Sequence, residues 1–182
     1  PRQIGGLLAR IGFAYQELNE FDQAVAALEA AVELSPSDLT FELQLGQTLV
    51  VARRFPEALE VVRGAQERHS DNLSLSRLEA QALSGDGELD EAVSVLRSAL
   101  EIHPDEPFAY VALANLYGDA DQFDEAQRIL EAADERVPDN ESILFQLGAV
   151  SERQQQYADA ERRFRQVLAG DPQHAGALNY LG

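Results

Sequence analysis

The chain has 182 residues, of which 45% are hydrophobic and 25% charged, a balance typical of a folded globular protein and unlike that of a disordered one. Its formal net charge is −18, from 32 acidic residues against 14 arginines and no lysine, so it is not expected to bind nucleic acid or anionic lipid, which attract clustered cations. It contains no cysteine and no apolar run of 18 residues, which excludes disulfides, thiolate metal sites and a membrane-spanning helix.

A segment of 18 residues near the start of the chain recurs in similar form later in the sequence. "FDQAVAALEAAVELSPSD" begins at Phe21, and "FDEAQRILEAADERVPDN" begins at Phe123, 102 residues or three times 34 further on. Rows of 34 residues align without an insertion between and beyond these two copies. The predicted rows are 5–38, 39–72, 73–106, 107–140 and 141–174, with the start of a sixth row at 175–182.

Several positions of the row keep one kind of residue, and they predict two packed helices in each row. Position 8 is always small: Gly12, Gly46, Ala80, Ala114 and Gly148. Position 20 is always alanine: Ala24, Ala58, Ala92, Ala126 and Ala160. Small residues at two such positions let two helices approach closely, and a proline at position 32 of four rows cannot continue a helix. We therefore expect helix A over about positions 2–14 and helix B over about positions 18–31.

This 34-residue pattern resembles that of the tetratricopeptide repeat family, over nearly the whole chain. The resemblance implies an all-α fold, a right-handed α-solenoid of helix-turn-helix repeats in which each row is stabilised by its neighbours. Because the sixth row stops at Gly182, the sequence also suggests a fragment of a longer array. Self-association through that open C-terminal end is expected, since terminal repeats normally need polar caps.

Two rows depart from the apolar pattern. Glu42 stands at position 4 of row two, and Ser76 and Glu79 stand at positions 4 and 7 of row three. Burial of an ionised carboxylate is costly, so we expect Glu79 to be partly exposed or to have a raised pKa. The junction of rows two and three is accordingly predicted to be the least stable part, with the fastest hydrogen exchange.

No catalytic or metal-binding constellation is found. His69, His103 and His174 lie beside the row ends and are interpreted as exposed turn residues, with no further His or Cys to complete a metal site. "GDADQFDEA" lacks the glycine and glutamate of a calcium loop, and "SGDGELD" lacks the lysine of a phosphate loop. We therefore predict no enzymatic activity, no metal and no cofactor.

The family resemblance implies that the A helices line a concave groove for peptide segments of partner proteins. Gln47, Gln81 and Asn115 recur at position 9 and are expected to form a line of amides that pairs with a peptide backbone. Replacement of all three by alanine should then abolish partner capture without loss of helicity. The expected groove residues are Arg10, Phe13, Leu43, Gln44, Gln47, Arg77, Gln81, Phe108, Val111, Asn115, Phe145, Gln146 and Arg153.

Two other functions stay open from the sequence: an assembly or oligomerisation spacer, and the substrate-presenting arm of a larger enzyme. The partners are expected to be proteins or peptides, and neither their identity nor the compartment follows from the sequence, although the cytoplasm is slightly favoured over the periplasm. The acidic, lysine-free composition suggests adaptation to concentrated salt, in which case the thermal midpoint should rise from low to molar NaCl; the alternative is a genome of high GC content, which would also replace lysine by arginine.

Overall fold

The computed structural model describes residues 2–182, and every element in that range is an α-helix. The helices are α1 (Arg2–Glu17), α2 (Phe21–Leu34), α3 (Leu39–Val51), α4 (Phe55–Gln66), α5 (Leu73–Asp86), α6 (Leu89–Ile102), α7 (Pro107–Asp119), α8 (Phe123–Arg136), α9 (Glu141–Arg153), α10 (Tyr157–Gly170) and α11 (Ala175–Leu181). Odd-numbered helices correspond to helix A and even-numbered ones to helix B. None of the described helices is long and apolar enough to cross a bilayer.

Each A helix passes into its B helix through the same turn. Position 15 of the row has a positive φ in all five rows: Asn19, Arg53, Gly87, Asp121 and Gln155. The backbone N–H of position 16 donates to the carbonyl oxygen of position 11, at 2.8–2.9 Å in every row. This pairing is the Schellman motif, in which a left-handed residue ends a helix and satisfies its last carbonyls. The backbone conformation of the turn is therefore the same in all five rows, although five different residue types occupy its left-handed position.

Small residues at position 8 let helix A approach helix B closely. A Cβ atom on Gly12 would lie 2.8 Å from Cγ of Leu28, and one on Gly148 would lie 2.6 Å from Cε1 of Phe164. Both distances are too short for real carbon contacts, so these two glycines are required by the packing. Ala24 at position 20 is fully buried on the opposite helix, as the pattern predicts.

Polar side chains at position 34 begin four of the A helices. The side chains of Asp38, Asn72 and Asn140 accept hydrogen bonds from backbone N–H groups of α3, α5 and α9. His174 does the same for α11, because its Nδ1 accepts from the Ala177 N–H at 3.0 Å. The interpretation of the three histidines as exposed turn residues is therefore wrong: all three are half-buried, and His174 caps a helix.

The chain forms two compact units, Pro1–Val95 (unit 1) and Leu96–Gly182 (unit 2), with the boundary inside α6. The core of unit 1 includes two buried clusters of described residues. The first consists of Ala9, Val25, Leu28, Ala31, Phe41, Leu45, Leu49, Ala58 and Ala82, and the second of Val62, Ala65, Leu75 and Leu78.

Unit 1 also buries two carboxylates. Glu79 is only 9% exposed, and its two oxygens accept from Arg63 Nε at 2.9 Å and from Gln66 Nε2 at 2.8 Å. Glu42 is 3% exposed and accepts from Arg68. The expected partial exposure of Glu79 is therefore wrong, because hydrogen bonds from α4 compensate for the loss of water around the buried charge.

The core of unit 2 is apolar and partly aromatic. One cluster contains Tyr110, Ala114, Ala126, Leu130, Ala133, Ile143, Leu147 and Val150, and another contains Leu144, Ala160, Phe164, Val167 and Ala177. The Phe164 ring stacks on the Tyr180 ring with centroids 4.5 Å apart, so α11 covers this end of the core. The Tyr110 hydroxyl donates to the Pro104 carbonyl at 2.8 Å, which satisfies the polar end of a buried ring.

Candidate functional site

A groove runs along the A helices of unit 1, over α1, α3 and α5. It has a volume of about 350 Å³. We call it the unit 1 groove, and its lining residues are Ala9, Phe13, Gln16, Leu28, Thr40, Leu43, Gln44, Gln47, Thr48 and Arg77. Five of them, Phe13, Leu43, Gln44, Gln47 and Arg77, are predicted site residues, so the structure brings these five to one surface.

The apolar part of the groove is dominated by one aromatic side chain. Phe13 is 58% exposed, although it stands on a helix whose opposite side packs into the core. Leu43 beside it is half-buried, while Ala9 and Leu28 are buried and belong to the core itself. An exposed aromatic ring next to a concave apolar surface is a common feature of protein interaction sites.

Two side chains that the sequence analysis missed organise the base of the groove. Thr48 is 1% exposed, and its hydroxyl oxygen lies 3.0 Å from Gln16 Oε1 and 2.9 Å from the Gln44 carbonyl oxygen. These contacts hold Gln16 of α1 against α3. Thr48 stands at position 10, next to the repeated amide position, but its polarity alone gave no signal of burial.

Arg77 lies between two of the predicted amides. Its Nη1 is 3.3 Å from Gln47 Oε1 and 3.3 Å from Gln81 Oε1. The carbonyl ends of both amides therefore face a guanidinium group inside unit 1. Because these two amide oxygens already accept from Arg77, a peptide backbone that paired with them would have to compete with this arginine.

A neighbouring groove of about 490 Å³ continues along α1 and α3 of unit 1. Its lining residues are Gly6, Ala9, Arg10, Phe13, Thr40, Phe41 and Gln44. Arg10 is exposed there, and it forms no hydrogen bond or ion pair with any residue that the structure describes. Phe13 and Gln44 are shared by both grooves, so the second groove extends the first.

The predicted site residues of unit 2 are more dispersed. Asn115, Gln146 and Arg153 line a polar groove of about 340 Å³. Val111 and Phe108 are half-buried, and Val111 packs against the core. The remaining predicted residue, Phe145, is engaged in packing near α11: its ring centroid lies 4.8 Å from His174, 5.6 Å from Phe164 and 6.1 Å from Tyr180.

Two expectations about surfaces stay predictions. Gln47 and Gln81 belong to unit 1 and Asn115 to unit 2, and the line of three amides is untested. Self-association near α11 is also untested, although Leu178 and Tyr180 are 47% and 48% exposed. Within residues 2–182, no group of three or more His, Asp or Glu side chains is arranged to hold a metal ion.

Comparison with known families identifies the repeat. Tetratricopeptide repeat models match residues 10–72, 43–107 and 152–182, and a second model of the same repeat matches residues 83–149. The chain belongs to the tetratricopeptide repeat family. The predicted family is thus confirmed, whereas no curated protein matches the chain.

Solved structures of tetratricopeptide repeat proteins share the fold. TTC0263 from Thermus thermophilus, a thermophilic TPR protein, is 20% identical, with a TM-score of 0.74 and 97% of each chain covered. YrrB, described as a TPR protein with an unusual peptide-binding site, is 20% identical, with a TM-score of 0.59 over 94% of this chain and 89% of its own. MamA from Desulfovibrio magneticus is 17% identical, with a TM-score of 0.65 over 94% and 97%.

These similarities confirm the predicted fold class, an all-α solenoid of tetratricopeptide repeats. Members of the family are generally non-catalytic scaffolds for protein–protein interactions, and the fold of this chain is that of such a scaffold. Identities of 17–20% show the fold alone, so the ligand of the chain has to be inferred from its own surface.

Proposed function

We propose that this tetratricopeptide repeat protein is a non-catalytic scaffold, and that the unit 1 groove binds an extended peptide segment of a partner protein. The observation that carries the proposal is Phe13, an aromatic side chain that is 58% exposed at the edge of a concave surface. Buried aromatic anchors provide most of the binding free energy in many interfaces. An apolar side chain of the peptide would cover this ring and Leu43.

The polar groups of the groove suit a peptide backbone. Gln44 is exposed, and its side-chain amide forms no hydrogen bond with the described residues. An amide side chain offers two donors and an acceptor, so it can pair with the N–H and C=O groups of an extended segment whatever the sequence of that segment. Thr40, on the same face of α3, adds an exposed hydroxyl group.

The groove is also held in place before any ligand arrives. The contacts of Thr48 with Gln16 and the Gln44 carbonyl join α1 and α3 beneath it. Because a preformed surface loses little conformational entropy on binding, such rigidity favours affinity. The peptide-binding site named for YrrB, a protein of the same fold, agrees with this proposal.

The test is selection of peptides by the 182-residue protein, followed by measurement of affinity. A displayed library of random linear peptides is panned on immobilised protein, and enriched peptides are synthesised for fluorescence anisotropy. In the Phe13→Ala variant the affinity should fall roughly tenfold or more, as expected for an interface anchor. Circular dichroism and the thermal midpoint should be nearly unchanged, because the ring is mostly exposed.

Leu18→Ala is the matched control. Leu18 is 66% exposed and lines neither groove, so its removal should leave the affinity unchanged. If the enriched peptides bind the Phe13→Ala variant as tightly as the wild type, the site is elsewhere and the proposal is wrong. Failure of the library to give any specific peptide would also count against it.

A further inference from the structure

The grooves of unit 1 differ in charge from the rest of the molecule. The unit 1 groove and its neighbour are lined by residues that include Arg77 and Arg10 but no aspartate or glutamate. In the whole chain, by contrast, 32 residues are acidic against 14 arginines. A surface with positive groups and no carboxylates is therefore set into a strongly acidic protein.

The positions of the acids on α1, α3 and α5 explain this separation. Glu42, the one acid of α3, is buried and accepts from Arg68, and Glu79 of α5 is buried and accepts from Arg63 and Gln66. The other acids of these helices, Glu17 and Asp86, are at the C-terminal ends. Thus the middle of each A helix presents no exposed carboxylate to the groove.

Arg77 is already held in a geometry that suits an acceptor. Two of its hydrogen bonds go to the neutral oxygens of Gln47 and Gln81, both at 3.3 Å. Bonds between a guanidinium and a carboxylate are shorter, typically about 2.7–2.9 Å, can be bidentate, and join two charged groups, whereas the amide oxygens are neutral. A carboxylate that exchanges with one of these amides would therefore gain free energy, while the other amide keeps the arginine in place.

We propose that the unit 1 groove selects an acidic peptide segment, with an apolar side chain against Phe13 and Leu43 and an aspartate or glutamate side chain on Arg77. This inference rests on the proposed peptide-binding function and adds the chemistry of the partner. In the neighbouring groove, the exposed Arg10 accepts a second carboxylate of the same segment.

The net charge of the protein limits how acidic the segment can be. At physiological ionic strength, the interaction between exposed charges is largely screened beyond about 8 Å. Contact with Arg77 therefore outweighs the repulsion from distant acids when a segment carries one or two carboxylates. Each further carboxylate without an arginine partner adds repulsion from a chain of net charge −18. Hence the partner is a mixed apolar and acidic segment rather than a polyacidic tract.

Four peptide pools test the inference. All share randomised apolar positions, and two flanking positions are fixed as Glu, Gln or Lys in three pools with acetylated and amidated ends. The fourth is the Gln pool with a free C-terminal carboxylate. Affinities for the 182-residue protein are measured by competition against a labelled, library-selected peptide. The Glu pool should bind roughly tenfold more tightly than the amidated Gln pool, as expected for one charge-assisted contact.

Three variants assign the effect to Arg77. Arg77→Gln should remove most of the preference for the Glu pool over the Gln pool, leaving only the contribution of Arg10, and should leave the affinity of the Gln pool unchanged. Arg77→Glu should reverse the order, so that the Lys pool binds more tightly than the Glu pool. Arg128→Gln is the control, because it removes the same charge from an exposed arginine of α8 that lies outside both grooves and should leave every affinity unchanged.

The possible failures are distinguishable. Equal binding of the Glu and amidated Gln pools to the wild type would overturn the acidic preference and leave the groove itself intact. Tight binding of only the pool with the free C-terminus would also overturn it, since the carboxylate would then be a chain end rather than a side chain. If the library yields no labelled peptide that binds, the proposed peptide-binding function fails together with this inference; if the labelled peptide binds but no pool competes with it, only this inference is overturned.

Discussion

Units 1 and 2 fill equivalent positions of the repeat with opposite chemistry. In unit 1, positions 4 and 7 of the A helices include the buried carboxylates Glu42 and Glu79. In unit 2 the same positions are Tyr110, Leu113, Leu144 and Leu147, all buried. The backbone is arranged alike in both units: apart from α1, which begins at Arg2, every described A helix begins at the first residue of its row. The repeat therefore accepts either an ion pair or an apolar group at one place, provided that the neighbouring B helix or the turn after it supplies a matching partner.

This difference indicates which substitutions should destabilise each unit. A buried carboxylate depends on a specific donor, and loss of that donor leaves an uncompensated charge. An apolar or aromatic core depends instead on volume, and loss or addition of a methyl group changes its packing. Unit 1 should thus be sensitive to removal of exposed arginines as well as to overpacking at Gly12, whereas unit 2 should be sensitive to overpacking at Gly148.

The largest expected effect concerns Arg68. Replacement by alanine leaves Glu42 buried without its donor, and the Oε2 atom of Glu42 already lacks a hydrogen-bond partner. We expect the free energy of unfolding to fall by about 3 kcal/mol. Urea denaturation followed by circular dichroism measures this change. Adding Glu42→Leu to the Arg68→Ala variant should recover most of the loss, because no charge is then buried.

Arg136 is the matched control in unit 2, since it occupies the same position 30 of its row. Its partner Asp105 is 78% exposed, and the Nη1–Oδ1 distance is 3.8 Å. Exposed ion pairs contribute between about zero and 1 kcal/mol, so Arg136→Ala should change the free energy of unfolding by less than about 0.5 kcal/mol. Equal losses for the two arginine variants would contradict the comparison.

The next effect concerns position 8. A Cβ on Gly148 would lie 2.6 Å from Cε1 of Phe164, whose ring is 2% exposed. Gly148→Ala should therefore destabilise the protein by about 2 kcal/mol through overpacking. In unit 1 the Gly46 Cβ would lie 3.2 Å from Val62, so Gly46→Ala should cost less than about 1 kcal/mol, helped by the higher helix propensity of alanine. Thermal melts of both variants give the difference, and similar shifts would show that the surroundings of Gly148 are not more tightly filled than those of Gly46.

A smaller effect concerns the helix caps at position 34. His174→Ala removes the acceptor of the Ala177 N–H, which should cost about 1 kcal/mol in α11 and accelerate its amide hydrogen exchange. His174→Asn should restore protection, because asparagine already caps α5 and α9. In unit 1, Asn72→Ala should cost a similar amount. Unchanged exchange in the His174→Ala variant would show that α11 is held by the stacking of Tyr180 on Phe164 alone.

The smallest effect concerns the left-handed residue between helices A and B. Gln155 of unit 2 has φ of 62°, a conformation that glycine adopts without a steric penalty. Gln155→Gly should raise the free energy of unfolding by about 0.5 kcal/mol. In unit 1 the position is already Gly87, with φ of 96°, and Gly87→Ala should lower the free energy by about 1 kcal/mol. Urea midpoints that move in the same direction for both variants would contradict this.

The helical register could be predicted from the sequence because steric requirements repeat every 34 residues. Gly12, Gly148 and the alanines of position 20 mark points where two helices touch, and only small residues fit there. The Schellman turns were not predicted, since arginine and glutamine occupy their left-handed position in two rows, although Asn19, Gly87 and Asp121 are of the types that favour it. A backbone requirement that tolerates arginine and glutamine leaves little trace in composition.

The polar contacts were harder to foresee. Arg63 and Gln66 lie 16 and 13 residues before Glu79, and nothing in the pattern indicates that they turn toward it. Arg77 was predicted at the groove, but its contacts with Gln47 and Gln81 depend on side-chain directions across two helices. For His174 a signal existed: asparagine or aspartate stands at position 34 in three other rows, which indicates a cap.

The turn between helices A and B has a consequence for how the length of the chain can vary. Its 6→1 hydrogen bond joins positions 16 and 11, so this hydrogen bond fixes the number of residues between them. One inserted residue in this turn would break that hydrogen bond and shift the residues of helix B relative to helix A. Within an α-helix a shift of one residue is a rotation of about 100°, since the helix has 3.6 residues per turn, so the alanine of position 20 would leave the interface if the shift reached helix B. Insertions within these turns are therefore expected to be more destabilising than most substitutions there, and the length of the turn to be more constrained than its residue types.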